Sequence, residues 1–167
     1  DFSNAKGTDL RIRLQGTDLR TLQPLTALDL PGTTAYDLAV DLDSEADELA
    51  LEQISGNVQL QGGKVSVSGR VGRLLDFADM DLALEADGTS VSAMTGIDHW
   101  LADTTAFSMT GRARGSWKAP SLDRLEGHFA RPNGTIGITG SVANARNGAG
   151  IDVVIETRSE KETLLSR

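Results

Sequence analysis

Cysteine is absent from the 167 residues. That removes disulfide frameworks and cysteine metal sites, and it leaves the redox compartment open. Histidine occurs twice, at His99 and His128, in different segments and without metal-ligand spacing, so no catalytic or metal role is assigned to either. Aromatics make up 4% of the chain, too few for an all-β adhesin or glycan binder that stacks sugars along one face. Trp100 and Trp117 read as packing and edge residues. The net charge of −8 lacks the basic footprint of a nucleic-acid binder. No apolar run is long enough for a signal peptide or a membrane-spanning helix. A chain that opens on Asp1 reads as a piece of something longer, with any membrane anchor outside it.

Catalytic signatures are missing too. Gly69-x-x-Gly72 lies on an alternating stretch and not at a strand-to-helix turn, so it is no phosphate loop. There is no Gly-x-Ser-x-Gly elbow. Asp41, Asp43, Glu45, Asp47 and Glu48 lack the glycine and terminal glutamate of a calcium loop and read as a solvated hairpin tip. Asn133-Gly134-Thr135 matches a glycosylation sequon, but Asn-Gly between two strands is first a hairpin turn. The chain is read as non-enzymatic, with no cofactor and no metal.

What is present is repetition. Lys64–Val71 alternates at period two, with Val65, Val67, Gly69 and Val71 in one row. Seventy-one residues on, Thr135–Val142 places Ile136, Ile138, Gly140 and Val142 in the same places. Leu10, Ile12 and Leu14 alternate with Arg11, Arg13 and Gln15 as a half-buried strand. Leu19, Leu22, Leu25 and Leu28 follow at helical spacing, capped by Thr17 or Asp18 and limited by Pro24 and Pro31-Gly32. Ala35–Leu42 is the second strand. Leu49–Leu60 is the third, with a phase slip at Glu52-Gln53 that one extra residue, a β-bulge, would repair. Gly62-Gly63 turns the chain into the fourth.

The second copy matches in order. Leu82 and Leu84 answer Leu10 and Ile12. Val91, Met94, Ile97 and Trp100 answer the helix leucines. Phe107 and Met109 answer Tyr36 and Leu38, and Leu122, Leu125, Gly127 and Phe129 repeat the phase slip. Ile151–Thr157 opens a third copy, and Leu164 and Leu165 fall where its helix should begin.

The expected fold is therefore mainly β: a curved single antiparallel sheet of about nine strands, a β-taco or groove. It is built from two repeats of about 71 residues, each with one short helix. Residues 1–9 are a lead-in, 10–80 the first repeat, 81–150 the second, and 151–167 the start of a third. Such a sheet presents on the order of 800 Å² of apolar face. Two short helices cover only part of it, leaving roughly 500 Å², near the upper end for soluble monomers. An aliphatic trough of that kind suits an extended alkyl chain.

These residues resemble a known family. Leu10 through Leu25, Ala35-Tyr-Asp-Leu, Ile54-Ser-Gly-Asn-Val and Val67-Ser-Gly-Arg-Val look like the repeated periplasmic region of AsmA-like proteins (the AsmA/TamB superfamily) of Gram-negative bacteria. The second copy and the strand at Ile151–Ser159 fit the same pattern, so the resemblance covers residues 8–165. It implies a periplasmic lipid-transfer groove, part of a protein anchored in the inner membrane, that binds phospholipid acyl chains and carries them between inner and outer membrane. An alternative within the superfamily is a scaffold that assists outer-membrane protein assembly through exposed strand edges. The implied partners are acyl chains, outer-membrane protein clients and neighbouring repeats of the same chain. The resemblance places the groove lining on Ile12, Leu38, Val67, Leu84, Met109, Ile138 and Ile155, with Leu14, Val40, Val65, Leu82, Phe107, Ile136 and Val153 beside them.

Overall fold

The computed structural model describes residues 9–26, 32–43, 50–73, 77–95 and 103–159. Alternating residues put the chain into nine strands: β1 (Asp9–Gly16), β2 (Ala35–Asp43), β3 (Ala50–Leu60), β4 (Gly63–Arg73), β5 (Ala78–Gly88), β6 (Ala106–Ser116), β7 (Ala119–Arg131), β8 (Gly134–Asn144) and β9 (Ala149–Ser159). They form one sheet in the order of the chain. Every pairing is antiparallel. The sheet is open, with β1 at one edge and β9 at the other.

The phase slips in the sequence are bulges. Three steps on β3, from Leu51 to Ile54, face two steps on β4, from Val71 to Gly69. On β7 the three steps from Leu122 to Leu125 face the two from Val142 to Gly140 on β8. The extra residue keeps all four apolar side chains on one face and bends the strand. Corner contacts recur as well. Thr34 N donates to Gln59 O at 2.9 Å, and seventy-one residues later Thr105 N donates to Ala130 O at 2.9 Å.

The β3–β4 and β7–β8 hairpins turn on Gln61-Gly62 and Pro132-Asn133. Gly63 and Gly134, expected within the turns, instead open the strands that follow.

Between β1 and β2 the chain makes a 3-10 turn over Leu19–Leu22 that runs into α1 (Gln23–Thr26). Asp18 is the cap, accepting from Arg20 N at 3.1 Å. Pro24 sits in the first turn of α1, where the segment changes from 3-10 to α-helix and a missing donor is tolerated. In the second copy α2 covers Val91–Thr95, with the Ser90 hydroxyl accepting from Ala93 N at 3.1 Å. The expected continuations at Leu28, Ile97 and Trp100, most of the acidic tip at Asp43–Glu48, and Leu49, His99, Leu164 and Leu165 lie outside the described residues.

The core lies on the apolar face at the helix end. Phe107, Phe129 and Ile136 are buried together, with Val91 and Met94 of α2 and with Ala86, Met109 and Ile138 packed around them. The two rings stack, centroids 6.3 Å apart. At the same end of the first copy, Leu19 and Tyr36 are buried.

Candidate functional site

The strand register carries apolar rows across the sheet. One runs from Leu14 to Leu38, Gly56, Val67 and Leu84. Toward the helices the next runs through Tyr36, Val58, Val65, Ala86, Met109, Gly127, Ile138 and Ile155. On the other side lie Ile12, Val40, Ile54, Gly69, Leu82 and Ala113. Val153 stands opposite Gly140. All fourteen proposed lining residues share this one face.

Their accessibility divides the face into zones. Phe107 and Ile136 are buried in the core cluster, so their surfaces are already occupied and they line nothing. At the opposite end of the strands a second margin is buried, made by Val71, Ala78, Met80 and Ala113. Between the two margins Leu38, Val40, Val65, Val67, Leu82, Leu84, Met109, Ile138 and Val153 are half-buried. Ile12, Leu14 and Ile155, on the edge strands, are exposed. A half-exposed aliphatic strip therefore crosses the strands from edge to edge. Gly56 is buried within it, its missing side chain replaced by its neighbours: a Cβ there would come within 2.7 Å of Leu38 Cδ2 and 2.9 Å of Val67 Cγ1.

The other face is polar and paired. Arg11 holds Asp41 through two bonds of 2.6 and 2.7 Å, and Arg13 holds Asp37 through bonds of 3.0 and 2.6 Å. Asp81 takes Arg112 in the same forked geometry, with Arg114 beside it. Hydrogen bonds from these arginines, more than charge alone, hold the Asp37, Asp41 and Asp81 carboxyls below the usual carboxylate range. The same bonds raise Arg13 and Arg112.

A cleft of about 880 Å³ opens on this face, lined among others by Arg11, Asp41, Arg70 and Arg112. It lies on the opposite side of the sheet from the aliphatic strip. Its arginines and carboxylates largely neutralise one another, which leaves little net charge to select a ligand. The signal for these pairs was present in the sequence: Arg11 and Arg13 share the parity that sets Arg11 opposite Asp41 and Arg13 diagonal to Asp37 once β1 and β2 pair.

His128 lies on the polar face, exposed, 3.5 Å from Glu126. Trp117 is exposed in the β6–β7 turn. Among the described residues no group of three His, Cys, Asp or Glu side chains is placed to hold a metal ion, and no buried side-chain polar atom lacks a partner. No helix among them is long and apolar enough to cross a membrane. In comparisons with known proteins, no family model, no curated protein and no solved structure matches this chain at a significant level.

Proposed function

We propose that this chain is a non-enzymatic segment of a lipid-transfer groove, in which the aliphatic strip holds phospholipid acyl chains on their way between the inner and outer membranes. The observation that carries the reading is the strip itself. Half-exposed Leu, Val, Ile and Met side chains run across successive strands, bordered on both sides by buried margins. An alkyl chain laid on such a strip gains about 0.8 kcal/mol per buried CH₂. The gain is non-directional, so it holds a chain without fixing its position along the sheet. The low aromatic content fits this use, because aliphatic rows offer a smooth surface with no stacking sites.

Native mass spectrometry of the purified chain, with lipid extraction from the same sample, tests the proposal. The parent chain is expected to carry phospholipid or take it up from added vesicles. Val67→Asp and Ile138→Asp place a charge in the middle of the strip and are expected to abolish binding while the far-ultraviolet β signature is retained. Equal lipid content in parent and both variants overturns the reading.

A further inference from the structure

Two hairpins carry an Asn-Gly pair at their turns: Asn133-Gly134 between β7 and β8, and Asn147-Gly148 between β8 and β9. An asparagine before glycine has a reaction of its own. The backbone nitrogen of the glycine attacks the asparagine Cγ, ammonia leaves, and a succinimide ring closes. Water then opens either carbonyl of the ring, which gives aspartate or isoaspartate. Glycine permits the approach because no Cβ stands beside the attacking nitrogen.

The structure separates the two sites. Four asparagines lie among the described residues, and three of them hold a side-chain hydrogen bond. Asn57 Oδ1 accepts from the Ser66 hydroxyl at 2.9 Å, Asn144 Oδ1 from Arg146 N at 3.0 Å, and Asn147 Oδ1 from Ala149 N at 3.0 Å. Asn133 has no such bond among the described residues, and it is exposed in a two-residue turn. Asn57 and Asn144 are also followed by Val58 and Ala145, whose Cβ atoms hinder the attack. Only Asn133 combines an untethered amide, exposure and a following glycine. That glycine is held in place by the sheet. Gly134 has φ of 143°, and a Cβ on it would come within 2.0 Å of Arg158 O on β9. In the first copy the place of Asn133 is taken by Gly62, so the reactive amide belongs to the second copy alone.

We propose that Asn133 is the site at which this chain modifies itself, by loss of its side-chain amide, and that the isoaspartyl product loosens the β7–β8 hairpin. In that product the backbone runs through Cβ and Cγ of residue 133, one atom longer than before. A two-residue turn closed by the Arg131–Gly134 pair has no slack for the extra atom. The same hairpin sets Phe129 opposite Ile136, both in the buried cluster. A disturbance of its register therefore reaches the core. The aspartyl product adds a carboxylate but keeps the backbone path.

Timed incubation at mildly alkaline pH, followed by peptide mapping with mass spectrometry, tests this. Water enriched in heavy oxygen marks each ring that has opened. Asn133 is expected to convert first, and faster as pH rises, because the attacking nitrogen must lose its proton. Asn147 is expected to lag about fivefold, the factor for breaking one ordinary hydrogen bond beforehand. In urea the two are expected to react alike. The aged parent is expected to melt below the fresh chain, in proportion to its isoaspartate. Asn133→Gly, which copies Gly62 of the first copy, is expected to age without that loss. An Asn133 that survives as long as Asn147 in the folded chain overturns the assignment of the site. A difference that persists in urea overturns it too, since it then belongs to the neighbouring sequence and not to the fold. An aged parent rich in isoaspartate that melts as the fresh chain does overturns the effect on the hairpin.

Discussion

Gly69 and Gly140 show how much of this sheet is decided at single positions. Each lies mid-strand, opposite the bulged neighbour, paired with Ile54 and Leu125 respectively. Each has a positive φ, 143° and 154°, and a Cβ at either would come within 2.1 Å of a backbone oxygen of the next strand, Asp81 O or Asp152 O. The bulge and the glycine form a crease that recurs with the repeat. Replacing either glycine by alanine is expected to destabilise the chain by about 1–3 kcal/mol, the range for a residue forced into a sparsely populated backbone conformation. Gly137, on the same strand as Gly140 but facing the polar side, has open space instead: a Cβ there would meet only Glu156 Cβ, at 4.0 Å. Gly137→Ala is therefore expected to be neutral or slightly stabilising. Urea unfolding of the three variants checks the contrast, and equal losses at all three would refute the crease. These glycines were recognisable in the sequence because they repeat in the apolar row, but the sign of φ was not. The repeat shows positive φ elsewhere too: Phe77 and Asp79 take φ of 47° and 54° where the second copy has Gly148 and Gly150 at 67° and 65°.

The paired carboxylates belong to the same scale. Asp37, Asp41 and Asp81 titrate below their ordinary value because arginine hydrogen bonds favour the charged form. The unfolded chain binds protons more readily at these sites, starting near pH 4. Their contribution to stability is therefore fully present above that pH and is lost as pH falls through the lowered folded-state values. The Asp37 and Asp41 pairs are exposed and the Asp81 pair only partly buried, so the contribution is small and salt-sensitive. Melting temperature is expected to fall on acidification below about pH 4, and less steeply in a variant with all three changed to asparagine. An unchanged acid slope in that variant would rule these residues out as its source.

At the scale of elements, alternation and its interruptions were enough to place all nine strands and both bulges. A one-residue slip moves a whole strand's side chains to the other face, so the parity of Leu51 against Ile54 carried structural information. Parity does not say what covers a face. Phe107 and Ile136 have the same pattern as Met109 and Ile138, yet only the first pair is buried, because Val91 and Met94 of α2 pack onto that end of the strands. The consequence is a division between fold and function along one strand. Phe129→Ala opens the cluster beneath α2 and is expected to cost about 3–5 kcal/mol. Val67→Ala, on the half-exposed strip, is expected to cost well under half as much, because it removes less buried surface. Thermal and urea unfolding separate the two. Similar losses would mean that the strip is packed as tightly as the core.

At the scale of the molecule, the main packing is between each strand and its chain neighbours. Stability in such an array is a sum of strand units and nearest-neighbour seams, so a whole period can be removed without opening a hole. Deleting residues 68–138, seventy-one in all, joins Val67 to Thr139 and builds one strand from halves of β4 and β8. Val65, Val67, Gly140 and Val142 then continue a single apolar row. Gly140 takes the place of Gly69 opposite Ile54, and Ile155 takes that of Leu84 beside Val67. The five-stranded product is expected to unfold cooperatively, with a denaturant slope roughly half that of the parent, since the slope follows the surface exposed on unfolding. Deleting one residue fewer, 68–137, joins Val67 to Ile138 and sends Gly140 and Val142 to the polar face. That chain is expected to lose cooperative unfolding. The two deletions differ by a single isoleucine, so composition and length cannot explain a difference between them. If both fold equally well, the apolar register is not what holds the sheet together.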